Sequence, residues 1–167
     1  MSEKNKLPGW NLCDLYQGIN DPQINRDLDK YRTNVLDFAA KYKGKLADLS
    51  AEEFAAALEI YNELSELGGL LGSFAYLNMS TQMKNKEAMA FYQNISEKLT
   101  DYGKPAIFFD LELNQLPQAK IDEWLQNSKV AFFKPFIEHS LRFKKYDLSE
   151  ACLLYTSDAA DDMQCVD

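Results

Sequence analysis

Residues 21–45, DPQINRDLDKYRTNVLDFAAKYKGK, decide the fold. Asp21 supplies a helix N-cap and Pro22 a proline at the first helical position. Ile24, Leu28, Tyr31, Val35, Phe38 and Tyr42 follow at alternating spacings of four and three, which is one stripe of an α-helix. Lys41, Lys43 and Lys45 suit the negative end of the helix dipole, and Gly44 suits the turn that ends it. The pattern predicts a helix over 22–43.

The same logic extends outward. Ser50-Ala51-Glu52-Glu53 is a capping box, in which hydroxyl and carboxylate satisfy each other's free backbone N–H groups. Phe54, Leu58, Tyr61, Leu64 or Ser65, Leu67 and Leu71 continue as a stripe to about Asn78. Gly68, Gly69 and Gly72 lie inside that helix, each at a cost of about 1 kcal/mol relative to alanine. Close approach of a neighbouring helix is the simplest reason for them. A third helix is expected from about Lys86, with Met89, Tyr92, Ile95, Leu99 and Tyr102 inward, interrupted at Gly103-Lys104-Pro105. Ala106-Ile107-Phe108-Phe109 is the longest β-like run, and it passes into a helical pattern. Pro117 and Pro135 open two shorter helices, and Asp147-Leu148-Ser149-Glu150 resembles the cap of another. The expected fold is all-α, an antiparallel bundle of about five to six helices joined by short turns, with residues 1–150 as one unit.

Composition removes whole classes of function. The 167 residues carry 18 Lys+Arg against 26 Asp+Glu, a net charge of −8, which argues against nucleic acid as a partner. No apolar run approaches the ~20 residues of a membrane span, so no membrane partner is expected. Met1-Ser2-Glu3-Lys4-Asn5-Lys6 leads to Leu7-Pro8-Gly9-Trp10 without a signal-peptide core. A cytoplasmic location is the expectation.

Candidate chemistry is sparse. Zinc commonly needs two histidines at i and i+4, and His139, beside Glu138, stands alone in this sequence. It is read as a partly exposed helix residue. Glu52-Glu53 belong to a helix start, and Asp110 with Glu112 is read as a solvated face. Gly68-Gly69-Leu70-Leu71-Gly72 lacks the Gly-Lys-Ser/Thr ending of a phosphate loop. No serine has a His/Asp pair to activate it. Asn78-Met79-Ser80 and Asn94-Ile95-Ser96 match the glycosylation pattern by chance. Cys13 is expected to be a small buried apolar residue. Tyr31, Phe38, Tyr42, Phe54 and Tyr61 line either a core or a peptide groove, the core being the more ordinary use. No catalytic, cofactor-binding or metal-binding residue is assigned.

The last 17 residues differ from the rest. Ala151–Asp167 holds four acids, no base and two of the three cysteines, leaving a charge of −4 on residues 1–150. The string from Cys152 to Asp161, CLLYTSDAAD, resembles a sequencing-library transposase adapter translated in one frame. Residues 151–167 are therefore expected to be a non-native, disordered tail, with the natural chain continuing past Glu150.

Several segments, in order, resemble the oligoendopeptidase F family, relatives of thimet oligopeptidase. Trp10-Asn11-Leu12-Cys13-Asp14-Leu15-Tyr16 resembles the family's W-[DN]-L-x-D-L-[YF] opening. Ala40 to Leu46 (AKYKGKL) resembles the end of its first helix, and Leu71-Gly72-Ser73-Phe74-Ala75 its L-G-S-[YF]-A stretch. Phe108 to Leu113 (FFDLEL) resembles F-F-x-L-E-L. Phe136 to Lys144 (FIEHSLRFK), then Leu148-Ser149-Glu150, resembles its Y-[IL]-E-x-[LI]-R-[RK] helix and the L-S-E beyond.

The resemblance covers roughly residues 8–150. It implies a zinc metallopeptidase that cleaves oligopeptides in the cytoplasm, with its N-terminal helices forming one wall of a substrate channel. The zinc, the H-E-x-x-H helix and the general-base glutamate would lie in a catalytic domain missing from this chain. The fragment itself would then be inactive, expose an apolar face meant for that domain, and tend to aggregate. The alternative is a complete small helical-bundle interaction module without enzymatic activity.

Overall fold

The structure, a computed structural model, describes residues 11–143. The segments Met1–Trp10, the motif at 147–150 and the tail at 151–167 lie outside the described residues. Among those described there are seven α-helices, two short 3-10 segments and no strand. The helices are α1 (Pro22–Tyr42), α2 (Ala51–Thr81), α3 (Lys86–Gly103), α4 (Phe108–Gln115), α5 (Gln118–Trp124), α6 (Ser128–Phe132) and α7 (Lys134–Phe143).

The expected caps form. Asp21 accepts from Gln23 N–H at 2.8 Å and Gln17 N–H at 2.9 Å. Ser50 N–H donates to Glu53 Oε2 at 2.9 Å, and Glu53 N–H to Ser50 Oγ at 3.3 Å, closing the box that starts α2. A further cap, not expected from the sequence, forms at the start of α3, where Asn85 Oδ1 accepts from Glu87 and Ala88 N–H. Helix α1 ends where Gly44 adopts φ +77°, a left-handed conformation that glycine enters without a Cβ clash.

Helices α1, α2 and α3 run antiparallel. Tyr31 meets Gly68 while Phe38 meets Tyr61, so the α1–α2 register reverses. Phe74 meets Phe91 while Gly72 meets Leu99, which does the same for α2–α3. The three embedded glycines now separate. A Cβ on Gly68 would lie 3.2 Å from Tyr31 Cε2, and one on Gly72 would lie 3.5 Å from Leu99 Cδ1. Gly69 faces open space, and nothing in the structure explains it.

Two apolar clusters hold the body together. The larger joins Val35, Phe38 and Tyr42 of α1 to Phe54, Leu58 and Leu64 of α2, with Phe108, Phe109, Leu113, Ile121, Trp124, Val130 and Ile137 closing it. Its densest point is Phe54 on Trp124, with ring centroids 4.0 Å apart and planes 18° apart. The indole N–H of Trp124 donates to Leu49 O at 3.2 Å, so a large buried ring keeps no unmet donor. The smaller cluster joins Tyr16, Ile24 and Leu28 to Leu71, Phe74, Ala75 and Ile95.

The β-like run Ala106–Phe109 passes into helix as expected, through the end of a 3-10 segment and a turn at Ile107 into the first turn of α4, from which Phe108 and Phe109 enter the core. Some expectations change. Met89 is 49% exposed. The rest of the expected α3 stripe faces inward, with Ile95 buried and Tyr92, Leu99 and Tyr102 packed against the smaller cluster, while small Ala88 is buried at the hairpin end in place of Met89. Helix α6 escaped the sequence reading, since its five residues are too short for a period to show. No helix among the described residues is long and apolar enough to cross a membrane.

Candidate functional site

The strongest convergence of polar side chains lies where α2, α4 and α7 meet. Asp110 sits in the first turn of α4, directly after the buried Phe108 and Phe109. Its Oδ2 accepts from Tyr61 Oη on α2 at 2.9 Å, and its Oδ1 from Ser140 Oγ on α7 at 3.1 Å. Tyr31 on α1 faces the same hollow, which holds about 160 Å³. Burial, then the adjacent charge of Asp110, pushes the Tyr61 hydroxyl far above its ordinary value. Burial also raises that of Tyr31. Both hydroxyls therefore stay protonated donors at neutral pH.

Two positions along, Glu112 turns the other way. It accepts from Gly44 N–H at 2.6 Å and from Leu46 N–H at 3.3 Å, tying α4 to the turn after α1. The acids expected on a solvated face are thus both engaged, Asp110 in a half-buried network and Glu112 on backbone donors. Alternation of Asp110 and Glu112 with apolar residues hid this, since a polar residue on a helix is exposed by default.

The other sequence candidates separate as follows. His139 is on the exposed side of α7. Glu138 pairs with Lys134 at 3.7 Å on the same surface. Glu52 accepts from Asn127 Nδ2 at 3.2 Å, and Glu53 belongs to the cap. Gly68–Gly72 is continuous helix, which is incompatible with a phosphate loop. Asn78 is buried, whereas Asn94 is exposed on α3. Cys13 is exposed, contrary to expectation, because the turn that buries Tyr16 leaves it on the outer side. In the aromatic stripe Phe38, Tyr42 and Phe54 are core, while Tyr31 and Tyr61 are half-buried and line the hollow.

Among the described residues no group of three or more His, Cys, Asp or Glu is arranged to hold a metal ion. The described residues do not fit zinc. Ser140 is bonded to a carboxylate with no imidazole between them, so it lacks the relay that makes a serine nucleophilic.

Residues 112–151 match the family described as Oligopeptidase F. The chain is also similar to an oligoendopeptidase F homolog of Borreliella burgdorferi, 26% identical over 149 residues. That alignment covers 89% of this chain and 24% of the relative, so the chain spans about a quarter of the relative's length. No solved structure matches it significantly. With the all-helical body, these matches support an oligoendopeptidase F-family N-terminal region.

Proposed function

We propose that this chain is the N-terminal part of an oligoendopeptidase F-like zinc metallopeptidase that hydrolyses short peptides, and that its helices form one wall of the substrate channel. The observation that carries the reading is the match to an oligoendopeptidase F homolog along 89% of this chain. Zinc and the groups that activate water belong, on this reading, to a catalytic domain beyond residue 150. The contribution of residues 11–143 is steric. Packed helices yield little, so they exclude folded proteins while an extended peptide passes. Such a wall needs few chemically special residues.

The source gene tests this. The expected result is a reading frame that continues past codon 150 through several hundred codons to an H-E-x-x-H. The whole protein should then cleave a short quenched-fluorescence peptide in a chelator-sensitive manner and leave folded proteins intact. A stop codon soon after 150, or a continued frame without a zinc motif, overturns the proposal. The first outcome favours a small helical interaction module.

A further inference from the structure

We propose that the hollow between α1, α2 and α4 is a binding site for a primary alkylammonium group, with Asp110 as its counter-ion. Asp110 is only partly exposed, and among the described residues no Lys or Arg is paired with it. Its two hydrogen bonds come from neutral hydroxyls. A carboxylate offers about four lone-pair positions, so two remain for a donor. A half-buried charge satisfied only by neutral donors gains from a cation.

The walls suit the rest of such a ligand. Val35, Leu64, Ala106 and Ile107 give an apolar lining for a short alkyl chain. The rings of Tyr31 and Tyr61 flank it, and aromatic faces attract cations. A volume of about 160 Å³ is that of about five waters, which admits a ligand of about five heavy atoms. It is below the ~300 Å³ of an ordinary small-molecule pocket. A lysine side chain of a peptide or a free alkylamine shares this chemistry. The proposal does not depend on the peptidase reading.

The test is titration of the full chain with n-butylammonium chloride, following the Tyr31 and Tyr61 ring resonances by NMR. Sodium chloride and n-butanol serve as ionic and neutral controls. A second arm uses a short lysine peptide against its acetyl-lysine counterpart. The expected result is saturable shifts with a Kd of roughly 1–10 mM for at least one ammonium ligand and none for the neutral ones. Asp110→Asn should weaken binding by about tenfold or more. Ser65→Leu, on the exposed rim of the hollow, should block entry while leaving the Asp110 network intact. Binding to n-butylammonium alone marks a free-amine site, and binding to the peptide marks a lysine site. The proposal is overturned if neither ammonium ligand saturates, or if n-butanol binds equally well. It is also overturned if a folded Asp110→Asn retains full affinity. Should that variant fail to fold, unaltered binding to Ser65→Leu overturns it.

Discussion

The carboxylate of Glu112 accepts a 2.6 Å hydrogen bond from the backbone N–H of Gly44, across 68 positions of sequence. Gly44 is where α1 gives way to the connection, at φ +77°. Glu112 does for this turn what an N-cap side chain does for a helix start. It also receives Leu46 N–H, so one side chain organises the whole bend.

Glu112→Ala should therefore destabilise the fold by about 1–2 kcal/mol, the worth of hydrogen bonds to a charged acceptor at a partly exposed site. Glu112→Gln, which keeps one acceptor oxygen, should cost less. Urea unfolding followed by circular dichroism measures both. Equal stability of Glu112→Ala and the parent would show that water serves the two N–H groups as well.

Trp124 is fully buried against Phe54 and also donates to Leu49 O. Trp124→Ala should cost about 3–5 kcal/mol through the cavity it leaves. Trp124→Phe should fall between Trp124→Ala and the parent, since it keeps a stacked ring but strands the Leu49 carbonyl. The same denaturation series ranks the three.

Tyr31 is held between two glycines. A Cβ on Gly68 would come within 3.2 Å of Cε2, and one on Gly103 within 3.1 Å of the hydroxyl. The ring must give by a few tenths of an ångström for either Cβ to fit. Gly68→Ala should thus destabilise despite a helix-propensity gain of about 1 kcal/mol. In a Tyr31→Ala background the same change should stabilise by about 0.5–1 kcal/mol. A double-mutant cycle with no coupling between the two sites would refute the pinch.

Acid stability follows from the caps. Backbone donors at Gln17 and Gln23 hold the Asp21 carboxyl below its ordinary value of 3.8, and those of Ser50 hold Glu53 below 4.5. Both groups are depressed in the folded state. Their contribution is present above the ordinary carboxylate values and is lost as pH falls through the lower folded ones. An Asp21→Asn/Glu53→Gln variant keeps the cap geometry but does not titrate. Its stability should decline less steeply than the parent's between roughly pH 5 and pH 2. Parallel curves would dismiss the caps as acid-sensitive elements.

Helices α1, α2 and α3 were legible because each runs for more than four turns of period, and α1 and α2 also carry a start signal. Asp21 and Ser50 mark the starts of α1 and α2, and the stripes tell which face is inward. At the first position of the α3 stripe, the exchange of Met89 for Ala88 was not legible. Hydrophobicity points to the larger side chain, whereas the buried position is held by the smaller one. Helix α6 lacks the length to show a period. The polar cluster was hidden for a different reason. Asp110, Tyr61 and Ser140 are 49 and 30 positions apart, and no local pattern links them. Tyr31 and Tyr61 looked like core because they share helical spacing with residues that are core. Only the third dimension shows a hollow beside them.

Helix α2, at 31 residues about 46 Å long, contributes Phe54 and Leu58 to one cluster and Leu71 and Phe74 to the other. One unbroken strut thus threads both interiors. Neither can dissolve while the other keeps its grip on that strut, so amide protons near its midpoint should exchange with solvent only when the whole body opens at once.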